Sequence, residues 1–133
     1  MVPYVRVWCR LWLYGDGTCI AINRKAGFPI TYMVGNPLDL IVRVKEVRGH
    51  CPVYKVGDEF IIKEGFKLVS TIPLCMHSLA SILPYYVALS RGIEPSTLGL
   101  ASPGEYAQVQ CLDPHIVPHS GTVIFEIIPQ IKK

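Results

Sequence analysis

The sequence predicts an α+β domain: a mainly antiparallel sheet with one principal helix packed on one face, preceded by an N-terminal β-hairpin. Three observations carry that prediction. Residues from Leu38 to Val47 alternate in polarity with the period of a strand, as do those from Tyr4 to Tyr14. Cys75, Leu79, Ile82, Leu83 and Tyr86 recur at helical spacing. Between these runs, Asp16-Gly17, Gly57-Asp58 and Glu64-Gly65 supply the residues that tight turns require.

Bulk properties fit a packed globule. The chain has 133 residues, 50% of them hydrophobic and 17% charged, enough apolar material to bury a core and too little charge for a disordered chain. A net charge of +3 permits nucleic acid as a partner without favouring it. Arg6 and Arg10 interrupt any apolar run that could serve as a signal peptide. The uncharged stretch from Leu68 to Ser90 contains Pro73, Pro84 and His77 and reads as a buried helix, not a membrane span. The expected compartment is the reducing cytoplasm, in which the five cysteines are thiols, metal ligands or redox groups.

Taken in order, the first strand sets Val5, Val7, Cys9, Leu11 and Leu13 on one face and Arg6, Trp8, Arg10, Trp12 and Tyr14 on the other. With Asp16-Gly17 as the loop, Leu13 faces Ile20 and Leu11 faces Ile22, a register in which Cys9 and Cys19 are not neighbours. The Arg/Trp face has the composition to stack bases and neutralise phosphates. Cation–π packing on a sheet surface or an interface with another subunit are the plainer readings, the latter admitting a homo-oligomer. Gly27, Pro29, Gly35 and Pro37 mark residues 25–37 as a linker, so residues 1–35 form the hairpin extension and 36–133 the α+β core.

In the core, Leu40, Val42, Val44 and Glu46 fall on one side of the first strand and Ile41, Arg43, Lys45 and Val47 on the other. The stretch from Gly49 to Asp58 then crowds reactive, rigid and turn-forming residues between this strand and the next, Glu59 to Lys63. Thr71 is the expected N-cap of a helix over Leu74 to Ser90, which Pro84 should kink or split into two abutting segments. Gly92 suits the left-handed residue after a helix, and Pro95 to Gly104 reads as a turn-bearing loop. Strands from Tyr106 to Cys111 and from Thr122 to Ile128 complete the sheet.

The run Arg48-Gly49-His50-Cys51-Pro52-Val53-Tyr54-Lys55-Val56-Gly57-Asp58, with Leu74-Cys75-Met76-His77-Ser78-Leu79-Ala80-Ser81, Val109-Gln110-Cys111-Leu112-Asp113-Pro114 and the closing Gly121 to Ile127, resembles an uncharacterised family of small prokaryotic proteins. The resemblance covers residues 38–128, leaves Met1 to Tyr32 outside it and implies no activity.

Three chemical readings follow from the residues. Cys51, Cys75 and Cys111, with His50 and His77, are the ligand types of a tetrahedral zinc or iron site, although no Cys-x-x-Cys pair is present. A ligand- or metal-binding protein built on that cluster is the leading expectation. The alternative is a thiol-dependent enzyme in which Cys75, at a helix start, is the nucleophile and His50 its base. The third is a protein or nucleic-acid interaction module using the Arg/Trp hairpin. Asp58 and Asp113 accompany turn signals and read as turn caps, while His115 and His119 read as solvated loop residues.

Overall fold

The computed structural model describes residues 19–22 and 29–32, as backbone, and 36–131. The chain divides into two compact units, Met1–Asn36 and Pro37–Lys133. In the first, β1 (Cys19–Ile22) pairs antiparallel with β2 (Pro29–Tyr32), Cys19 opposite Tyr32 and Ile22 opposite Pro29. Within residues 25–37, expected as a linker or irregular crossover, Pro29–Tyr32 is therefore strand. Pro29 opens its strand, where its missing N–H is tolerated, and Ile30, Thr31 and Tyr32 favour extended backbone. The expected strand from Tyr4 to Tyr14, with Arg6, Trp8, Arg10, Trp12 and Tyr14, and its Asp16-Gly17 turn lie outside the described residues.

The second unit is α+β. Its five strands are β3 (Asp39–Gly49), β4 (Glu59–Lys63), β5 (Lys67–Val69), β6 (Ala107–Gln110) and β7 (Gly121–Gln130), in the antiparallel order β5-β4-β3-β7-β6. Leu40, Val42 and Val44 of β3, Phe60 and Ile62 of β4, Val109 of β6 and Val123, Phe125 and Ile127 of β7 point into one core. Phe125, fully buried on a central strand, meets Tyr54 and Phe60 edge to face at 5.4 and 6.3 Å between ring centres.

Strict alternation along β3 would place Glu46 in that core, and the structure corrects this. A bulge between Val44 and Glu46 inserts Lys45 and reverses the alternation, so that Val47 packs against the core while Glu46 pairs with Arg48 outside. Removing a carboxylate from an apolar interior avoids a desolvation penalty of several kcal/mol, more than the ladder irregularity costs. Strand β5 is absent from the sequence expectation because three residues are too few to display a period.

The helix expected over 74–90, kinked or split at Pro84, is split into two short helices, α1 (Met76–Ile82) and α2 (Tyr86–Ser90). Pro84 has no N–H for the Ala80 carbonyl and its ring would collide with that turn, so the chain turns tightly, Tyr85 N–H reaching Ile82 O, before helix resumes. Cys75, not Thr71, is the N-cap, and it makes no side-chain cap bond. Buried Ser78, Ser81 and Ser90 fold their hydroxyls back onto Cys75 O, Ser78 O and Val87 O, which lets polar residues occupy the helix faces nearest the sheet. Gly92 adopts φ +75° and ends α2 as expected, and Pro95–Leu98 forms a 3-10 turn inside the expected loop. Among the described residues no helix is long and apolar enough to cross a membrane.

Candidate functional site

The loop between β3 and β4 is fastened to the start of α1 by one side chain. Tyr54 is 3% exposed, and its hydroxyl oxygen accepts the Cys75 N–H at 2.9 Å. Ser78 spends its single proton on Cys75 O at 2.6 Å. The bond of 2.8 Å between Tyr54 and Ser78 therefore has tyrosine as donor. These three bonds close a ring that satisfies every polar atom in it, the condition under which a buried network stabilises a core.

Around this anchor the loop is made of local turns. Cys51 Sγ accepts the Tyr54 N–H at 3.3 Å, and Asp58 Oδ2 accepts the Lys55 N–H at 2.8 Å. Gly57, at φ +93°, sends its N–H to Val44 O. Asp58 is thus a turn cap, as its position beside glycine indicates.

The third cysteine motif behaves alike. Cys111 is buried, with its N–H on Val123 O and its Sγ accepting the Asp113 N–H at 3.3 Å; Asp113 Oδ1 in turn accepts the His115 N–H at 2.8 Å. The His115 ring lies on Gly49: a Cβ built on that glycine would stand 2.3 Å from His115 Nε2 and 2.6 Å from Ser120 O. Gly49, at φ +80°, is required there both by its backbone and by the close approach.

Cys51, Cys75 and Cys111 are free thiols, the first two half-buried, and all three pack against the hydrophobic core. Each therefore behaves in part as a small apolar residue. The expected metal cluster of these cysteines with His50 and His77 is not formed: among the described residues no three His, Cys, Asp or Glu side chains gather so as to hold a metal ion. Two of the sulfurs are engaged by backbone N–H groups of their own loops, and His50 and His77 are exposed. Carboxylates held below their usual range lie elsewhere. Glu46 is held down by its hydrogen bond to Arg48, and Glu94 by bonds from Ser96 and the Gly104 N–H.

A concave site exists at the sheet edge, away from the three cysteines. Strand β5 pairs with β4 only from Ile61–Val69 to Lys63–Lys67, after which the chain turns away through Ser70, Thr71 and Ile72. Among the described residues the first residue of β4 has no strand neighbour on that side, and a cleft of about 430 Å³ opens there, lined by Asp58, Glu59, Ile61, Val69, Thr71 and Ile72 among others. The ladder's alternation fixes which main-chain groups face it. Val44 exchanges bonds with Gly57 and Asp58, so Phe60 and Ile62 direct theirs to β3, and Glu59 directs its N–H and C=O outward. Among the described residues no strand pairs with Glu59 on that side, and no loop or turn backbone bond ends on it. Ser70 and Ile72 bond to each other and hold the far wall, and the Glu59 carboxylate is held aside by Arg43. No signal in the sequence marks this notch, since it arises from where a three-residue strand happens to stop. No family model, curated protein or solved structure matches the chain.

Proposed function

We propose that the core domain is a binding module that takes an extended peptide segment into the notch beside Glu59. The observation that carries this reading is that the ladder turns the Glu59 main-chain groups toward a cleft at a strand edge, where no strand pairs with them among the described residues. A peptide laid there continues the line of β5 and forms one narrow pair of hydrogen bonds with Glu59, the mode by which sheet edges recruit strands. Side chains on alternate faces of the peptide then meet Ile61 and Val69 on one side and Ile72 on the other. A cleft of about 430 Å³ suits a few residues, so the preferred ligand is short, extended and apolar at alternate positions.

A library of linear heptapeptides displayed on phage is the direct probe, with binders titrated into isotopically labelled protein. Shifts are expected at the Glu59, Ile61 and Val69 to Ile72 amides and should vanish in Thr71→Trp, which fills the notch from an exposed position. Binders that shift other amides, or that bind Thr71→Trp equally well, would defeat the reading.

A further inference from the structure

The sheet has a second face, opposite the helices, and its side chains form rows that run across the strands. Register places Val69, Ile61, Ile41 and Ile128 side by side as an apolar row over four strands. Ile61, Ile41 and Ile128 are half-buried and none of the four belongs to the core. On one flank runs the row Glu59, Arg43, Glu126 and Gln108. On the other flank Lys63 pairs with Lys67. Arg43 is bound to Glu59 and Lys45 to Glu126, whereas Lys63 has no carboxylate partner among the described residues. Lys67 is held by Glu64.

We infer that this face binds a second copy of the chain, the apolar rows stacked on each other about a twofold axis that runs along them. Such an axis keeps each strand over its counterpart and exchanges the two flanks. The flanking rows lie about 7 Å to either side of the apolar row, two strand residues away, and the exchange brings the Lys63 of each copy over the Glu59 of the other. Two sheets stacked face to face stand about 10 Å apart, a gap that a lysine side chain bridges. The contact is isologous, so the Lys63–Glu59 contact is made twice in each dimer. Glu59 can serve both cations, because its two oxygens accept from Arg43 and from the incoming lysine together.

Sedimentation velocity on the full chain, over a range of concentration and salt, tests the proposal. The wild type should dimerise with an affinity that falls as salt rises. Lys63→Glu, at an exposed position with no carboxylate partner to lose among the described residues, should weaken the dimer roughly tenfold or more, since it sets two like-charged contacts in place of two attractive ones. Glu59→Lys should weaken it as well, and the exchange of both charges in one chain should restore most of the loss. Ile41→Asp is expected to abolish association, with a thermal melt to confirm that the fold persists. A chain that stays monomeric at every concentration overturns the proposal, as does a dimer indifferent to Lys63→Glu or not recovered by the charge exchange. Lys63 lies outside the notch, so Lys63→Glu should leave the peptide-induced shifts in place, and a failure here is separable from a failure of peptide binding.

Discussion

Two loops leave the same end of the central strand pair, and they use the same local chemistry to different effect. In both, a cysteine Sγ accepts a backbone N–H, from Tyr54 in the first and Asp113 in the second, and an aspartate caps a turn, Asp58 for Lys55 and Asp113 for His115. The loop after β3 then sends Tyr54 into the core and ties it to α1. The loop before β7 sends nothing inward after Cys111: Leu112, Ile116 and Val117 stand 60, 80 and 66% exposed. Turn chemistry alone shapes a loop, and a single buried anchor decides whether it becomes part of the domain's cooperative unit. Amide exchange should follow that division, slow across residues 51–58 and fast across 112–119.

Removing the anchor should give the largest effect. Tyr54→Ala deletes a side chain packed against Phe125 and opens a cavity between loop, helix and sheet, which costs about 3–5 kcal/mol by chemical denaturation. Tyr54→Phe keeps the ring and removes only the hydroxyl, leaving the Cys75 N–H and the Ser78 hydroxyl short of a partner at about 1–3 kcal/mol. The comparison sharpens if Tyr54→Phe speeds amide exchange in α1 as well as in its own loop. Two variants with equal stability would show that the ring, and not the hydroxyl network, is the anchor.

The second loop is best broken from outside itself. Gly49→Ala imposes a left-handed alanine and drives its methyl group into His115 and Ser120, an expected cost of about 1–3 kcal/mol. Adding His115→Ala should recover only part of this, because the Ser120 carbonyl is backbone and remains in the way. Full recovery would mean that the ring alone makes the close approach. The caps follow with smaller effects. Asp58→Ala and Asp113→Ala each lose one exposed or half-buried hydrogen bond, about 1 kcal/mol or less. Asp58→Ala should be the costlier, because its turn feeds the pairing of Val44 with Gly57 and Asp58, whereas Asp113 orders only a surface loop.

What the sequence made legible follows the same line. Turns announced by Gly57, Asp58, Gly65 and Gly92, and strands long enough to alternate, could be read because their causes are local. The bulge at Lys45 could not, since it answers a burial conflict that exists only once the sheet is formed. The reading of residues 48–58 looked to His50 and Cys51, the reactive types, while the structure rests on Tyr54, whose partners lie 21 and 24 residues away. An aromatic residue inside an otherwise turn-forming loop was the available signal for that anchor. The notch was invisible for a further reason, namely that it is main chain: the Glu59 N–H and C=O exist at every residue, and only the early end of β5 sets them apart.

The smallest expected effect lies at a third loop, where Glu94 joins the 3-10 turn to the segment before β6. Its carboxylate accepts the Ser96 hydroxyl at 2.7 Å and the Gly104 N–H at 3.1 Å, and these bonds hold its pKa below the ordinary glutamate value. A carboxylate with a depressed folded pKa adds stability that is fully present above its unfolded value of about 4.3 and is lost as pH falls through the folded one. Glu94→Gln should therefore melt slightly below wild type at neutral pH and converge with it in acid, beneath the ordinary glutamate value. The group is wholly exposed, so the difference is small and shrinks with salt. A gap that persists unchanged into acid would assign the effect to lost geometry at Ser96 and Gly104 and not to the charge.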